Sequence, residues 1–384
     1  MHLEDDAMFS SAVATPRLSA RSPNLMNALA LVMIVRDEAR SLERCIESAR
    51  AWVDEIVVVD TGSTDATPEI ARRLGASVGS FAWCDDFSAA RNAALALAEA
   101  PWRLVLDADE WITAGADSLA ALRGVAPEFL GQISVASAFD DGQGGVGHAP
   151  SWLPRLLPRG VRYAGRIHEQ PNSLLPRRRL DLVVAHDGYL DAHKAKKAGR
   201  NERLLTLALG DTPDDAYLHY QLGKDRELRE HFPTALPHYE RALAGAGADA
   251  AWRHDLVVRT IFTLKRLGRF EAGLALAETE MPRWQGSPDF FFTLGDLLLD
   301  FAVATPARAA ELLPMIEASW LRALEIGEQP QLNDAVRGRG SFLAAHNLAV
   351  LYEGQGDSAK ALHWRERASG PSEAVGAVAG ASAD

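Results

Sequence analysis

Cysteine is scarce: Cys45 and Cys84 are the only two among 384 residues. Two thiols exclude a disulfide framework and a zinc site built from cysteines, and they suit a reducing compartment, so a cytoplasmic location is expected. Long apolar runs are missing as well. Nothing approaches the roughly 18 residues of a membrane-spanning helix. The N-terminal MHLEDDAMFSSAVATPRLSARSPN begins acidic and has no apolar core of the secretory kind, so neither a membrane span nor a leader is expected. Positive charge is in deficit, with 40 Lys+Arg against 52 Asp+Glu and a formal net charge of −12. That excess opposes a nucleic-acid backbone, and no nucleic-acid partner is expected. What is plentiful is ordinary core material. Hydrophobic residues make up 47% and charged residues 24%, the balance of a folded chain long enough for two or three domains.

Two regions of different grammar lie between residues 1–27, a Ser/Ala/Pro/Arg-rich lead-in expected to be flexible, and a small-residue tail, 369–384, expected to be disordered. In the first, LALVMIV (29–35), EIVVVD (55–60), ASVGSF (76–81) and WRLVLD (102–107) have the length and β-branched content of buried strands. Helical stretches separate them, one opened by Thr67-Pro68, an N-cap followed by proline. Strands alternating with helices predict an α/β domain over 28–190 with a mostly parallel sheet, whose ligands bind at the carboxyl ends of the strands. The second region, 191–368, is nearly all helix-forming. Leu222-Gly223, Ala235, Tyr239 and Ala242 fall at tetratricopeptide offsets, and Leu348-Ala349, Gly356, Ala361 and Ala368 repeat them. Weaker copies begin at FFTLGDLLLD (291–300) and near LKRLGRFEAGLALAE (264–278). Small residues at these offsets let antiparallel helices approach, and stacked pairs bury what one pair cannot.

The densest chemical signal is Leu104-Val105-Leu106-Asp107-Ala108-Asp109-Glu110. On an extended segment the two aspartates point the same way and can share one hard cation, which would neutralise a diphosphate leaving group. The alternative is a solvated turn whose acids cap a helix after Trp111. A second strand ends in Asp60 ahead of Thr61-Gly62-Ser63-Thr64-Asp65. Such an acid can accept hydrogen bonds from a base or ribose, or simply make a turn. Asp86-Phe87-Ser88-Ala89-Ala90-Arg91-Asn92 sets Arg91 near a helix start, where its fork suits phosphate, or where it is an ordinary surface arginine.

Together VMIVRDEARSLERCI, VVVDTGSTDAT, FSAARNAALALA and LVLDADE resemble, in order and approximate spacing, the A-type fold of glycosyltransferase family 2. The resemblance is strongest from Ala28 to Asp117. It continues through YAGRIHEQ (163–170), AHDGYL (185–190) and KKAGRNERLL (196–205) towards the branch of that family with tetratricopeptide-like helices behind the catalytic domain. It implies a nucleotide-sugar-binding A-type domain followed by an all-α helical domain. The implied reaction is inverting and metal-dependent, moving a sugar from a nucleoside-diphosphate sugar, expected to be a UDP-sugar, to a protein, peptide or glycan acceptor. Residue by residue, it implies that Glu38 and Asp60 contact the nucleoside, with Asp60 aimed at the base. Arg91 would lie beside the nucleotide or its diphosphate, and Asp107 would approach the ribose or the metal. Asp109 would be the main ligand of a divalent ion, Mn2+ or Mg2+, with His186 near that metal or the diphosphate. An inverting transferase also needs a base for the acceptor. Glu169, in Arg166-Ile167-His168-Glu169, is the match, with Asp140 and Asp141 as substitutes and an ion pair to Arg166 as the structural alternative.

Some features are set aside. Gly142-Gln143-Gly144-Gly145-Val146-Gly147 matches a dinucleotide fingerprint, but the prolines that follow forbid its helix, so a hairpin or lid is expected and no nicotinamide or flavin. The basic runs Arg177-Arg178-Arg179 and His193 to Arg203 read as solvated helix faces or as the cationic rim of a cleft. Nothing near Cys84 would activate its thiol. Two other functions compete. A sugar-phosphate nucleotidyltransferase needs a glycine-rich loop where this chain has IVRDEAR, and a non-catalytic scaffold with a degenerate transferase domain sits poorly with an intact Asp107-Ala108-Asp109. The array is expected to dock the acceptor or a partner, or to form a homodimer interface.

Overall fold

A computed structural model describes residues 28–140, 146–186, 191–332 and 334–369. Expectations placed on residues 1–27, on the tail from 370, on Asp141, on the loop at 141–145 and on the side chain of Asp140 lie outside the described residues.

The α/β part runs β1 (Leu29–Val35), α1 (Leu42–Arg50), β2 (Glu55–Asp60), α2 (Thr67–Arg73), β3 (Ser77–Ser80), α3 (Phe87–Leu97), β4 (Trp102–Val105), β5 (Glu110–Ala114), α4 (Asp117–Ala120), β6 (Leu130–Asp140), β7 (Val146–Pro158), β8 (Tyr163–Ala164), β9 (Gln170–Pro171) and β10 (Arg177–His186). An eight-stranded sheet has the order β3-β2-β1-β4-β7-β6-β10-β5. The pairs β3–β2, β2–β1, β1–β4 and β6–β10 are parallel, and β4–β7, β7–β6 and β10–β5 antiparallel. The run in β1 is continuously apolar because both faces are covered. Leu29, Leu31, Met33 and Val35 join the core under α1, while Ala30 and Val32 join Ala94 and Leu95 of α3 on the other face. Strand order reverses across β1, with β2 on one side and β4 on the other, so the crevice lies at the carboxyl ends of these strands.

Three local expectations are corrected. Trp111 lies in strand β5, paired with β10, and the short helix α4 that follows is capped at Ala116, so the acids of 107–110 do not cap it. Arg177-Arg178-Arg179 stands on β10 and not on a helix face; Arg178 lies over Phe129 at 4.6 Å and Arg179 over Trp152 at 4.5 Å. The proline-rich stretch after the glycines forms the 13-residue strand β7, held between β4 and β6 although Pro150, Pro154 and Pro158 offer no backbone donor.

The helical part comprises α5 (Asp191–Asp211), α6 (Ala216–Glu227), α7 (Phe232–Gly245), α8 (Arg253–Arg266), α9 (Phe270–Glu280), α10 (Pro288–Ala304), a 3₁₀ turn at Pro306–Arg308, α11 (Ala309–Ile326), α12 (Phe342–Gly354) and α13 (Ser358–Ala368). After α5 the helices pair as α6–α7, α8–α9, α10–α11 and α12–α13. Close approach depends on missing side chains. A Cβ on Gly223 would lie 2.6 Å from the Tyr239 ring, and one on Gly295 2.5 Å from Trp320. Among the described residues no single helix is long and apolar enough to cross a membrane.

The two parts share a core. Ile167 of the α/β part packs with Leu204, Leu205 and Ala208 of α5, Leu218 and Leu222 of α6, and the half-buried Trp83 and Phe87. Ending the chain at Asp211 would strip Leu218 and Leu222 from it, and a buried leucine contributes roughly 2–5 kcal/mol. The fragment is expected to aggregate or to melt far below the full chain in a solubility and circular-dichroism assay. A soluble fragment with an unchanged midpoint would show that the array is a separable appendage.

Candidate active site

The loops after β1 and β2 are laced together. Asp37, at φ 54°, donates its amide to Ser63 Oγ (2.9 Å), and its carboxylate accepts from Thr64 N. Thr67 Oγ1 and Asp65 Oδ2 accept from the amides of Glu38 (2.8 Å) and Ala39 (3.1 Å). Glu38 accepts from Ser41 Oγ at 2.8 Å. Asp60 closes its own turn, accepting from the amides of Gly62 at 3.1 Å and Ser63 at 3.2 Å. Glu38 and Asp60 therefore stand on a preformed rim at the end of the crevice.

Asp107, Ala108, Asp109 and Glu110 do not continue β4. The Glu110 amide donates to the Asp107 carbonyl (3.0 Å), making a tight turn, and the two aspartates face different partners. Asp107 lies between two guanidiniums, with Arg91 Nη2 on Oδ1 and Arg155 Nη2 on Oδ2, both at 2.8 Å. Arg155 also reaches Glu110 Oε1 at 2.9 Å, and Glu110 Oε2 accepts from the Asp107 amide at 2.9 Å. Burial alone would raise the Asp107 carboxyl, but Arg155 and Arg91 hold it far below the usual range. Glu110, 3% exposed, is pushed up by burial. The Asp107 side chain keeps 35% exposure, so the arginines do not seal it off, and each carboxylate oxygen has a second lone pair to offer.

Asp109, 7% exposed, meets His186 from the end of β10, with Oδ2 and Nε2 3.4 Å apart. Burial disfavours the imidazolium, and the Asp109 carboxylate outweighs it, so the His186 pKa is raised. Among the described residues no three metal-ligating side chains converge. The expected set of Asp107, Asp109 and His186 is thus not assembled, because the turn directs Asp107 at its arginines. Asp109 and His186 do fit a divalent cation as a pair, since an oxygen and an imidazole nitrogen this close can share one ion.

Arg91, expected beside the diphosphate, lies beneath the site at 6% exposure. Asp86 caps its helix through the Ala89 amide (2.9 Å), and the guanidinium is committed to Asp107 and, through Nε, to Glu169. Burial disfavours its charge, yet Asp107 and Glu169 keep its pKa raised. The alternative partner of Glu169 is excluded, because Arg166 bonds Asp211 at 3.0 Å. Next to Glu169, His168 has φ 51° and a pKa lowered to about 4 by burial and by Lys224. On the other side Gln170 Nε2 donates to Tyr217 OH of α6 at 3.3 Å, so the first repeat helix reaches the Glu169 loop.

Sequence reasoning misses Arg155 and Tyr163. Tyr163 is buried 5.7 Å from the Arg91 guanidinium, and burial raises its hydroxyl to about 12. A lone arginine in SWLPRLLP (151–158) is the available signal, because a charge amid apolar residues needs a buried counter-charge.

The Glycosyl transferase family 2 model matches residues 30–121. A "TPR repeat-containing protein" of Synechococcus elongatus is 33% identical over 312 residues, 74% of this chain and 76% of that protein. The "SPbeta prophage-derived glycosyltransferase SunS" of Bacillus subtilis is 27% identical over 266 residues, 65% of this chain and 63% of its own length. An "Uncharacterized glycosyltransferase" of Rickettsia felis is 38% identical over 85 residues, 22% of this chain and 30% of that protein.

Proposed function

Because the chain belongs to glycosyltransferase family 2, in the branch with tetratricopeptide-like helices behind the catalytic domain, we propose that it transfers a sugar, with inversion, from a nucleoside-diphosphate sugar to a protein, peptide or glycan acceptor. A UDP-sugar is the first donor to test. The observation that carries this reading is the meeting of Asp109 and His186 at the carboxyl ends of the strands, from segments far apart in sequence.

In this reading Glu38 and Asp60 flank the nucleoside, and Asp107, fixed by Arg91 and Arg155, accepts from the ribose hydroxyls. Asp109 and His186 would hold Mn2+ or Mg2+, which would supply positive charge against a departing diphosphate. The site needs such charge: Asp107, Asp109, Glu110 and Glu169 outnumber Arg91 and Arg155, and both arginines are sunk below the surface. Glu169 takes the proton of the attacking acceptor group. The α6 side of the array borders Glu169 through Tyr217, which favours acceptor docking there over a homodimer interface. Action in the cytoplasm accords with two free thiols, Cys45 buried and Cys84 exposed.

The test is incubation of the full chain with UDP- and GDP-sugars and Mn2+, following release of the nucleoside diphosphate. Slow hydrolysis of at least one donor is expected, abolished by EDTA and restored by Mn2+. No binding and no hydrolysis of any donor would favour the scaffold; hydrolysis unaffected by EDTA would remove the metal.

A further inference from the structure

The basic run ending at Arg203 is not used by the reading above, and its described end lies against the site. On α5, Arg203 forks onto Asp85, with Nη1 to Oδ2 at 2.8 Å and Nη2 to Oδ1 at 2.5 Å. Glu202 accepts from Arg229 Nη1 at 2.8 Å and Arg226 Nε at 3.4 Å. Leu204, Leu205 and Ala208 are buried with Ile167. Helix α5 is thereby fixed beside the loop that leads into α3.

Arg200 lies one turn earlier. Its guanidinium sits 5.1 Å from the Phe87 ring centre, and the side chain is exposed. Among the described residues its hydrogen-bond partner is the neighbouring Asn201 Oδ1, at 3.2 and 3.3 Å, and it makes no salt bridge. Surrounding protein is the largest influence on its charge and lowers its pKa. Asp107 after β4 and Arg36 and Glu38 after β1 act on it next. Among the described residues Arg200 is therefore a cation held in no salt bridge, close enough to Asp107 and Glu38 at the strand ends of the nucleotide rim to feel their charge.

The site has a need for such a group. Arg91 and Arg155 are spent on Asp107, Glu110 and Glu169, so neither is available to a phosphate arriving from solvent. A planar fork on a fixed helix suits a phosphate oxygen pair, and Arg36 is exposed on the β1 loop.

We infer that Arg200, together with Arg36, binds the diphosphate of the donor, so that the donor site is completed by the first helix of the helical half. This rests on the transferase reading. Glu202 ties α5 to α6 through Arg226 and Arg229, so the proposed phosphate ligand stands on a helix anchored to the first repeat pair.

The test uses the full chain, with UDP, GDP, uridine and guanosine as probes, titrated by calorimetry and ligand-observed NMR. Arg200→Ala is expected to weaken the preferred nucleoside diphosphate about ten- to a hundredfold, the scale of lost charge-assisted hydrogen bonds. It should leave the matching nucleoside within about twofold of wild type, and Arg200→Lys should recover part of the loss. Unchanged diphosphate affinity in Arg200→Ala would overturn the inference while leaving the transferase reading in place. So would an equal loss for nucleoside and diphosphate, which would mean a deformed site. A wild-type chain that binds neither diphosphate would reject the transferase reading itself, and the inference with it.

Discussion

Asp109→Ala is expected to lower Mn2+-stimulated sugar-nucleotide turnover at least about 10³-fold, equivalent to about 4 kcal/mol of barrier, with a melting midpoint within a few degrees of the parent. The loss follows from position. Asp109 is the one carboxylate of the turn aimed at His186, whereas Asp107 and Glu110 are held by Arg155. A neighbour could take over only by giving up a contact with a buried guanidinium, since Asp107 bridges Arg91 and Arg155 and Glu110 bonds Arg155 and the Asp107 amide. Stability should change little. Asp109 is one of three acids crowded around the buried Cys45 thiol, which burial and then Glu110, Asp107 and Asp109 push upward. Removing one acid relieves repulsion and offsets the lost contact with His186. Turnover across a Mn2+ titration, paired with thermal melts, checks both halves. Near-parental turnover would end the metal role of Asp109, and an unfolded variant would make the residue structural.

Parts of this architecture are plain in the sequence, and the hidden parts have physical reasons. Strands β1, β2 and β4 are legible because both faces of the sheet are covered, so the runs are apolar without alternation. The repeat pairs are legible because Gly223 and Gly295 sit where a Cβ would strike Tyr239 and Trp320. Strand β7 is hidden by Pro150, Pro154 and Pro158, which read as breakers. With it goes Arg155, the residue that fixes Asp107 and Glu110. The aspartate pair is legible as a motif but not as a geometry. A one-turn hydrogen bond from Glu110 N to Asp107 O separates two side chains that an extended strand would align. Arg91 is legible as a helix-start arginine, yet only tertiary packing shows that it supports the floor of the site from below. In the basic run, Arg200 and Arg203 look alike in sequence. Asp85, 118 residues before Arg203, pairs with that arginine, while Arg200 makes no salt bridge among the described residues.

Glu169→Gln is expected to lower acceptor-dependent transfer roughly 10²- to 10⁴-fold while donor affinity stays near that of the parent. The substitution keeps the shape and one acceptor oxygen, so the Arg91 Nε contact can persist as a neutral hydrogen bond while proton acceptance is lost. A carboxylate held by a buried arginine has two conceivable duties, taking the acceptor's proton or keeping Arg91 under Asp107, and they separate by readout. If Glu169 serves only as a tether, weakening it should let Arg91 shift beneath Asp107. Donor affinity and melting temperature would then fall together, since a broken buried ion pair costs about 3–5 kcal/mol. If it is the base, the maximal transfer rate falls alone, and formate should restore part of the activity of Glu169→Ala by acting as a diffusible carboxylate. Its position favours the second duty. Glu169 is flanked by His168, kept neutral by burial and Lys224, and by Gln170, bonded to Tyr217 of α6, so it stands where the α/β domain meets the helices proposed to present the acceptor. Transfer at the parental rate by Glu169→Gln would remove it from the reaction and pass the proton to another group on that border.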